Sequence, residues 1–230
     1  MPTLIGTSGY SYAAWKGRFY PPKLPAKQML RFYATQFASV EINNTFYKLP
    51  ESSTIADWAV DVPARFTFAV KAPQQITHWL RLKNAAEPLR EFWDATGLLG
   101  KKRGPVLFQL PPNFKKDLPL LEGFLTELPT GCRAAFEFRH PSWFDDAVYQ
   151  ALRSAGVALC IAEDEKLATP LEATTGWGYL RLRREDYVDA DIRKWAQKIA
   201  KQKWRQAFVY FKHEDEAKGP RFARLLQEYM

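Results

Sequence analysis

The chain has 230 residues, 47% hydrophobic and 15% aromatic, which is apolar enough to bury a large core and excludes a disordered or fibrous protein. Its 33 Lys and Arg against 25 Asp and Glu leave a formal charge of +8, a balance that favours anionic partners without specifying one. Two cysteines, Cys132 and Cys160, with no Cys-x-x-Cys unit argue against a disulfide framework or a structural zinc cage.

No apolar run approaches the roughly 18 residues of a membrane span, and Met1-Pro2-Thr3 does not open a signal peptide. The expectation is a soluble cytoplasmic protein with no membrane partner. No linker-like tract or fixed-period repeat interrupts the chain, so one domain over 1–230 is the simplest organisation.

The first β-rich run is 3–7, and Met29, Phe32, Tyr33 and Phe37 then repeat at helical spacing. Runs at 39–43, 66–71 and 105–110 follow, the last succeeded by a helical set of Leu121, Phe124, Leu125 and Leu128. The run at 133–138 leads to a helix from about Asp145, which Gly156 should end because glycine tolerates left-handed geometry. Runs at 157–162 and 178–182 precede a helix carrying Ile192, Trp195, Ala196 and Ile199. The eighth run, 207–212, is followed by Phe222, Leu225, Leu226 and Tyr229 at the same spacing. Eight strands alternating with helices predict an α/β fold of the (β/α)8 TIM-barrel type. A doubly wound sheet is the runner-up, but no Gly-x-Gly-x-x-Gly turn follows the first strand.

Strand patterning predicts where polar groups gather. Phe66, Phe68 and Val70 share one face of their strand, while Thr67, Ala69 and Lys71 share the other. Phe136 and Phe138 likewise oppose Glu137 and Arg139, and Val209 and Phe211 oppose Tyr210 and Lys212. If the bulky faces meet the helices, the opposite faces deliver Glu41, Asn43, Lys71, Gln109, Glu137, Arg139, Asp164, Arg181, Arg183 and Lys212 to the C-terminal rim. Enzymes of this fold place their chemistry there.

The same residues carry a family likeness. Gly6-Thr7-Ser8-Gly9-Tyr10-Ser11-Tyr12, Val40-Glu41-Ile42-Asn43, Leu107-Phe108-Gln109-Leu110-Pro111-Pro112 and Phe136-Glu137-Phe138-Arg139-His140-Pro141-Ser142-Trp143 resemble the YecE-like proteins, a domain-of-unknown-function family. The resemblance spans nearly the whole chain. It implies a TIM-type barrel similar to those of sugar isomerases and abasic-site endonucleases, and it brings no reaction with it. Tyr10 stands where many members carry Trp, and Lys212-His213-Glu214-Asp215 replaces an Asn-rich ending, so the rim near the last strand is expected to differ in what it binds.

Each motif has two readings. Ser8, between two glycines, either marks a tight turn or contacts an anion. Glu41, Glu137 and Asp164 either form acid/base catalysts or an ionised network with neighbouring cations. Only His78, His140 and His213 are present, which argues against a histidine-rich metal cluster and leaves room for one carboxylate-bound magnesium or manganese. Arg181, Arg183, Arg184, Lys212 and Lys218 after the last two strands suit a phosphate or carboxylate, with Arg184 and Lys218 also readable as solvated surface. Tyr10, Tyr12, Trp15, Tyr47, Trp79 and Trp143 either stack a base or sugar ring or pack loops over the barrel. Cys160 reads as a small barrel filler.

The function expected from these readings is an enzyme acting on a small anionic substrate, a phosphorylated sugar or nucleotide-like molecule. Glu137, Glu41, Lys71, Arg139 and Asp164 are its candidate catalytic residues, and the cofactor is left unassigned. Ser8, Tyr10, Asn43, Gln109, His140, Trp143, Arg181, Arg183, Lys212 and His213 are its candidate ligand contacts. The alternatives are a nucleic-acid-binding or repair-type protein using the basic, aromatic rim, and a non-catalytic ligand-binding scaffold.

Overall fold

Alternation gives each strand a bulky apolar outer face and an inner face of smaller, aromatic and polar side chains, and the chain buries both. The computed structural model describes residues 1–213 and 215–230. Its strands are β1 (Thr3–Thr7), β2 (Ser39–Ile42), β3 (Thr67–Lys71), β4 (Arg103–Gln109), β5 (Ala134–Glu137), β6 (Ala158–Glu163), β7 (Trp177–Leu182) and β8 (Gln206–Phe211). All pair in parallel, in the order β1-β8-β7-β6-β5-β4-β3-β2. Phe68, Val70, Phe108, Phe136, Val209 and Phe211 face outward into the core beneath the helices. Ala69, Leu107, Ala135, Cys160, Tyr179 and Tyr210 fill the barrel interior. Each fully buried large side chain of this kind contributes about 1.5–3 kcal/mol.

The surrounding helices are α1 (Met29–Gln36), the short α2 (Asn44–Tyr47), α3 (Ser52–Asp61), α4 (Ala86–Thr96), α5 (Leu118–Thr126), α6 (Asp146–Ser154), α7 (Asp189–Ala200) and α8 (Lys218–Glu228). Local chemistry sets several of their limits. The Asp117 carboxylate accepts from Leu120 N at the start of α5, the Asp145 carboxylate accepts from Ala147 N at the start of α6, and Gly156 beyond α6 has φ +66°. One expectation fails: β6 and β7 are joined by irregular chain rather than a helix. Residues 164–176 contain two prolines or glycines and no sustained apolar repeat, and the loop is instead tied down by Asp164 and Thr174.

Closure between β1 and β2 uses a side chain. The Tyr33 hydroxyl on α1 accepts from Thr7 N at 2.8 Å and donates to Ser39 O at 3.1 Å, standing in for ladder hydrogen bonds. Gly6 permits this approach, since a Cβ there would lie 2.0 Å from Ser39 O. At the rim the two strands meet directly, with Gly9 N donating to Glu41 O at 2.7 Å and Ser8 bridged to Glu41.

Candidate functional site at the C-terminal rim

Arg181, projecting inward from the end of β7, gathers the carboxylates of the other strands. Its Nη2 and Nε donate to Glu41 Oε1 at 2.9 and 3.1 Å, and its Nη1 donates to Glu137 Oε2 at 2.6 Å and Gln109 Oε1 at 3.4 Å. Nη2 also donates to Ser8 Oγ at 3.1 Å, and Tyr179 donates to Glu41 Oε2 at 2.7 Å. Arg181, Glu41, Glu137, Gln109 and Ser8 are all buried. Burial alone would raise the Glu137 carboxyl, but the positive charges of Arg181, Arg139 and Arg183 outweigh it and hold the group well below the usual carboxylate range. Desolvation likewise works against the Arg181 charge, and Glu137 and Glu41 more than restore it.

A second tier of cations lies over this buried layer. Arg139 Nε donates to Glu137 Oε1 at 2.8 Å, while its two terminal amino groups have no acceptor among the described residues. Arg183 is bonded to Asp164 and approaches Glu137 Oε1 at 3.9 Å, and its buried Nε has no partner among the described residues. Desolvation lowers its pKa. The donors of this tier therefore exceed the acceptors that the described residues supply.

Lys71 ends β3 and is 8% exposed, yet its Nζ makes no hydrogen bond or ion pair among the described residues. It lies 3.6 Å from the centroid of the Phe46 ring. Desolvation, assisted by the Arg181 charge, lowers its pKa to about 7, so a large share of the amine is neutral at physiological pH. His78 stands edge-on to the same ring, with centroids 5.0 Å apart, and its Nδ1 shares a 2.9 Å hydrogen bond with Thr77 Oγ1. Burial, then Lys71 and Arg139, push its pKa down to about 4, leaving a neutral imidazole. The turn that presents it, Gln75–Trp79, is π-helical, a form found at functional sites more often than elsewhere. Arg81, Leu82 and Asn84 just beyond it hold φ values of 49°, 69° and 49°, which non-glycine residues rarely adopt.

The remaining expected site residues divide. Asn43 donates to Ser8 Oγ at 2.8 Å. With Arg181 as its other donor and Glu41 accepting its proton, the Ser8 hydroxyl has no lone pair left for a ligand. Asp164 accepts from Lys166 N and Leu167 N, both at 2.9 Å, so it organises its loop as well as pairing with Arg183. The backbone hydrogen bonds and the Arg183 charge outweigh partial burial and keep its carboxyl below the usual range.

His213 Nε2 donates to Arg183 O at 2.8 Å, and the exposed Lys212 follows β8 at the rim. Glu214, part of the same segment, lies outside the described residues. His140 caps a short turn by accepting from Ser142 N. Tyr10 is half-buried and hydrogen-bonded toward Trp58 on α3. Trp143 departs from its expected place: it is fully buried in the outer core, stacked 4.7 Å from Phe138, with Nε1 donating to Phe114 O. An indole needs area to bury and a partner for its N–H, and the outer core supplies both.

Sequence reasoning passed over Tyr179 and weighed His78 only as a metal ligand. Tyr179 was within reach, because it alternates with Arg181 on the inward face of β7. The contact of His78 with Phe46 joins two segments remote in sequence, and no periodicity predicts it. Among the described residues no three His, Cys, Asp or Glu side chains come together, and arginines engage all three rim carboxylates. Such a donor set suits an anion better than a cation. The 790 Å³ groove against α8, lined by Phe19, Tyr187 and Phe222 among others, holds none of the rim arginines.

An eight-stranded parallel barrel with buried arginines and carboxylates at its C-terminal rim defines an α/β protein of the TIM-barrel type. The chain belongs to the DUF72 family, described as proteins of unknown function, whose family model matches residues 4–230. It is 34% identical over 116 residues to UPF0759 protein YecE of Escherichia coli, a match covering 50% of this chain and 43% of that protein. To UPF0759 protein YunF of Bacillus subtilis it is 31% identical over 139 residues, 57% of this chain and 49% of that one. The matched stretch thus spans less than half the length of each of these relatives. The crystal structure of a DUF72 family protein from Thermotoga maritima superposes with a TM-score of 0.84 at 26% identity, covering 99% of this chain and 100% of that one. One from Enterococcus faecalis gives 0.81 at 17% identity, covering 99% and 96%, which supports the fold alone.

Proposed function

We propose that the protein is an enzyme acting on a small anionic substrate, a phosphorylated sugar or nucleotide-like molecule, at the C-terminal rim of the barrel. The observation carrying this reading is the cation tier: Arg181 is shared between Glu41 and Glu137, and Arg139 and Arg183 retain donors for which the described residues supply no acceptor. Fixed guanidinium groups in a desolvated setting suit bidentate recognition of phosphate or carboxylate. In this reading Arg139 and Arg183 hold the anion and stabilise developing negative charge. Lys71, rather than the salt-bridged Glu137, is the group able to accept a proton near neutral pH. Tyr47 and Trp79, 73% and 68% exposed, belong to the two loops that bring Phe46 and His78 together.

The test is a thermal-shift screen with sugar phosphates, nucleotides and short single-stranded oligonucleotides at low and high salt. Saturation at a hundred times the dissociation constant adds about 2.7 kcal/mol to stability. A salt-tolerant shift with a small phosphate compound, weakened in Arg139→Ala, is expected. The exposed aromatics and the charge of +8 give the nucleic-acid alternative its support. A shift produced only by oligonucleotides and erased by salt would replace the small-molecule reading with that one. Binding of a small anion with no turnover of any bound compound would favour the non-catalytic scaffold.

A further inference from the structure

We propose that Lys71 is a Schiff-base nucleophile and that the substrate class of the rim site is a small aldehyde or ketone carrying a phosphate or carboxylate. The proposal rests on the anion-binding reading above and adds the reacting group to it. Glu41, Glu137 and Asp164 are in the same rim as Lys71, yet Arg181, Arg139 and Arg183 take them up, and Nζ is left against the face of Phe46 with no acceptor among the described residues. The charged or titratable groups acting on it are Arg181, Glu137, Glu41 and Arg139, together with His78. Desolvation and the flanking arginines favour the neutral amine, the form that attacks a carbonyl.

The neutral Nζ adds to the carbonyl carbon, forming a C–N bond as the C=O π electrons move to oxygen. An amine proton passes to that oxygen directly or through water, giving the carbinolamine. The C–O bond then breaks, the oxygen leaves as water with the second amine proton, and the resulting imine takes a proton from solvent to become an iminium. No oxidant or reductant is consumed. Arg139 and Arg183 are placed to hold the charged end of the molecule, so an anionic group should enhance a reaction that the carbonyl alone permits. His78, neutral and edge-on to the Phe46 ring that Lys71 covers, would serve as a proton relay beside the amine.

The experiment treats the full chain with sodium cyanoborohydride and one of three probes: dihydroxyacetone phosphate, pyruvate or uncharged dihydroxyacetone. Adducts are read by intact mass and peptide mapping. The expected result is a single reduced adduct on the peptide containing Lys71, at least tenfold more abundant with a charged probe than with dihydroxyacetone at equal concentration. The phosphate and carboxylate arms then show which anion the site prefers. Lys71→Arg and Lys71→Met, with folding checked by circular dichroism, should lose that adduct. Mapping in the unsubstituted chain keeps the test valid if either variant fails to fold. Adducts spread evenly over surface lysines, or an adduct that persists in Lys71→Arg, would overturn the proposal. Thermal shifts are measured with the same probes. A probe that stabilises the protein yet never traps Lys71 overturns the Schiff base and leaves the anion site standing, whereas no stabilisation and no trapping removes both.

Discussion

Arg181 illustrates how much one side chain can hold at this rim. It bonds to Glu41, Glu137, Gln109 and Ser8, which come from four different strand ends. Replacing it with Met would leave two buried carboxylates without their main counter-charge, a change that costs about 3–5 kcal/mol. Urea unfolding should show that loss, and a change below 1 kcal/mol would mean that the network contributes little. Lys71 has the opposite effect on stability. Its folded pKa of about 7 lies below the ordinary 10.5, so the cost of burying its charge is fully present below pH 7. That cost is relieved as pH rises toward 10.5, because there the unfolded chain binds more protons than the folded one. Lys71→Met should therefore raise stability by about 1–2 kcal/mol at pH 6.5. It should also flatten the rise that the unsubstituted protein shows between pH 7 and 9. Equal pH slopes in the two proteins would contradict this assignment.

At the scale of elements, the junction of β1 and β2 is the barrel's special seam. Seven of the eight neighbouring strand pairs are joined by a parallel ladder, β3–β4 with a shift in register, whereas this one uses the Tyr33 hydroxyl inserted between Thr7 N and Ser39 O. Tyr33→Phe keeps the ring and removes both bonds, leaving a buried N–H and a carbonyl short of partners at a cost of about 1–3 kcal/mol. Hydrogen exchange should then show faster exchange at Thr7 than at Val209 in the middle of β8. Uniform protection in the variant would show that the seam closes without the hydroxyl. The β3–α4 connection is another irregular element. Its π turn and run of positive φ values hold His78 where a regular turn would not, and they are local features that tertiary contacts must sustain.

For the whole molecule, acid should be the sensitive axis. The folded Glu137 carboxyl is held below its ordinary value of 4.5, and Asp164 below 3.8. The stability they contribute is complete above those ordinary values and is lost as pH falls through the folded ones. Chemical unfolding at pH 7 and pH 3 should show a marked loss of stability at the lower pH, with a smaller difference in Glu137→Gln. The same pH dependence in both proteins would place the acid sensitivity elsewhere.

The barrel itself was legible because its signals are local and periodic. Phe68 and Val70 against Ala69 and Lys71, or Phe136 against Glu137, state in a few residues which face meets the helices. Strand ends fell within two residues of expectation for the same reason. The rim residues were legible as a set, since period two carries Glu41, Glu137, Arg181 and Lys71 to one end of the barrel. Their pairing was not. Which carboxylate Arg181 takes, and which arginine donors and which lysine find no acceptor among the described residues, depend on distances between strands far apart in sequence. Trp143 shows the same limit, its burial depending on Phe114, outside its motif, as well as on Phe138 within it. Periodicity in the sequence determined the fold and where its polar groups would gather. Only tertiary structure decided how their charges divide, because electrostatic energy depends on separation in space and on burial.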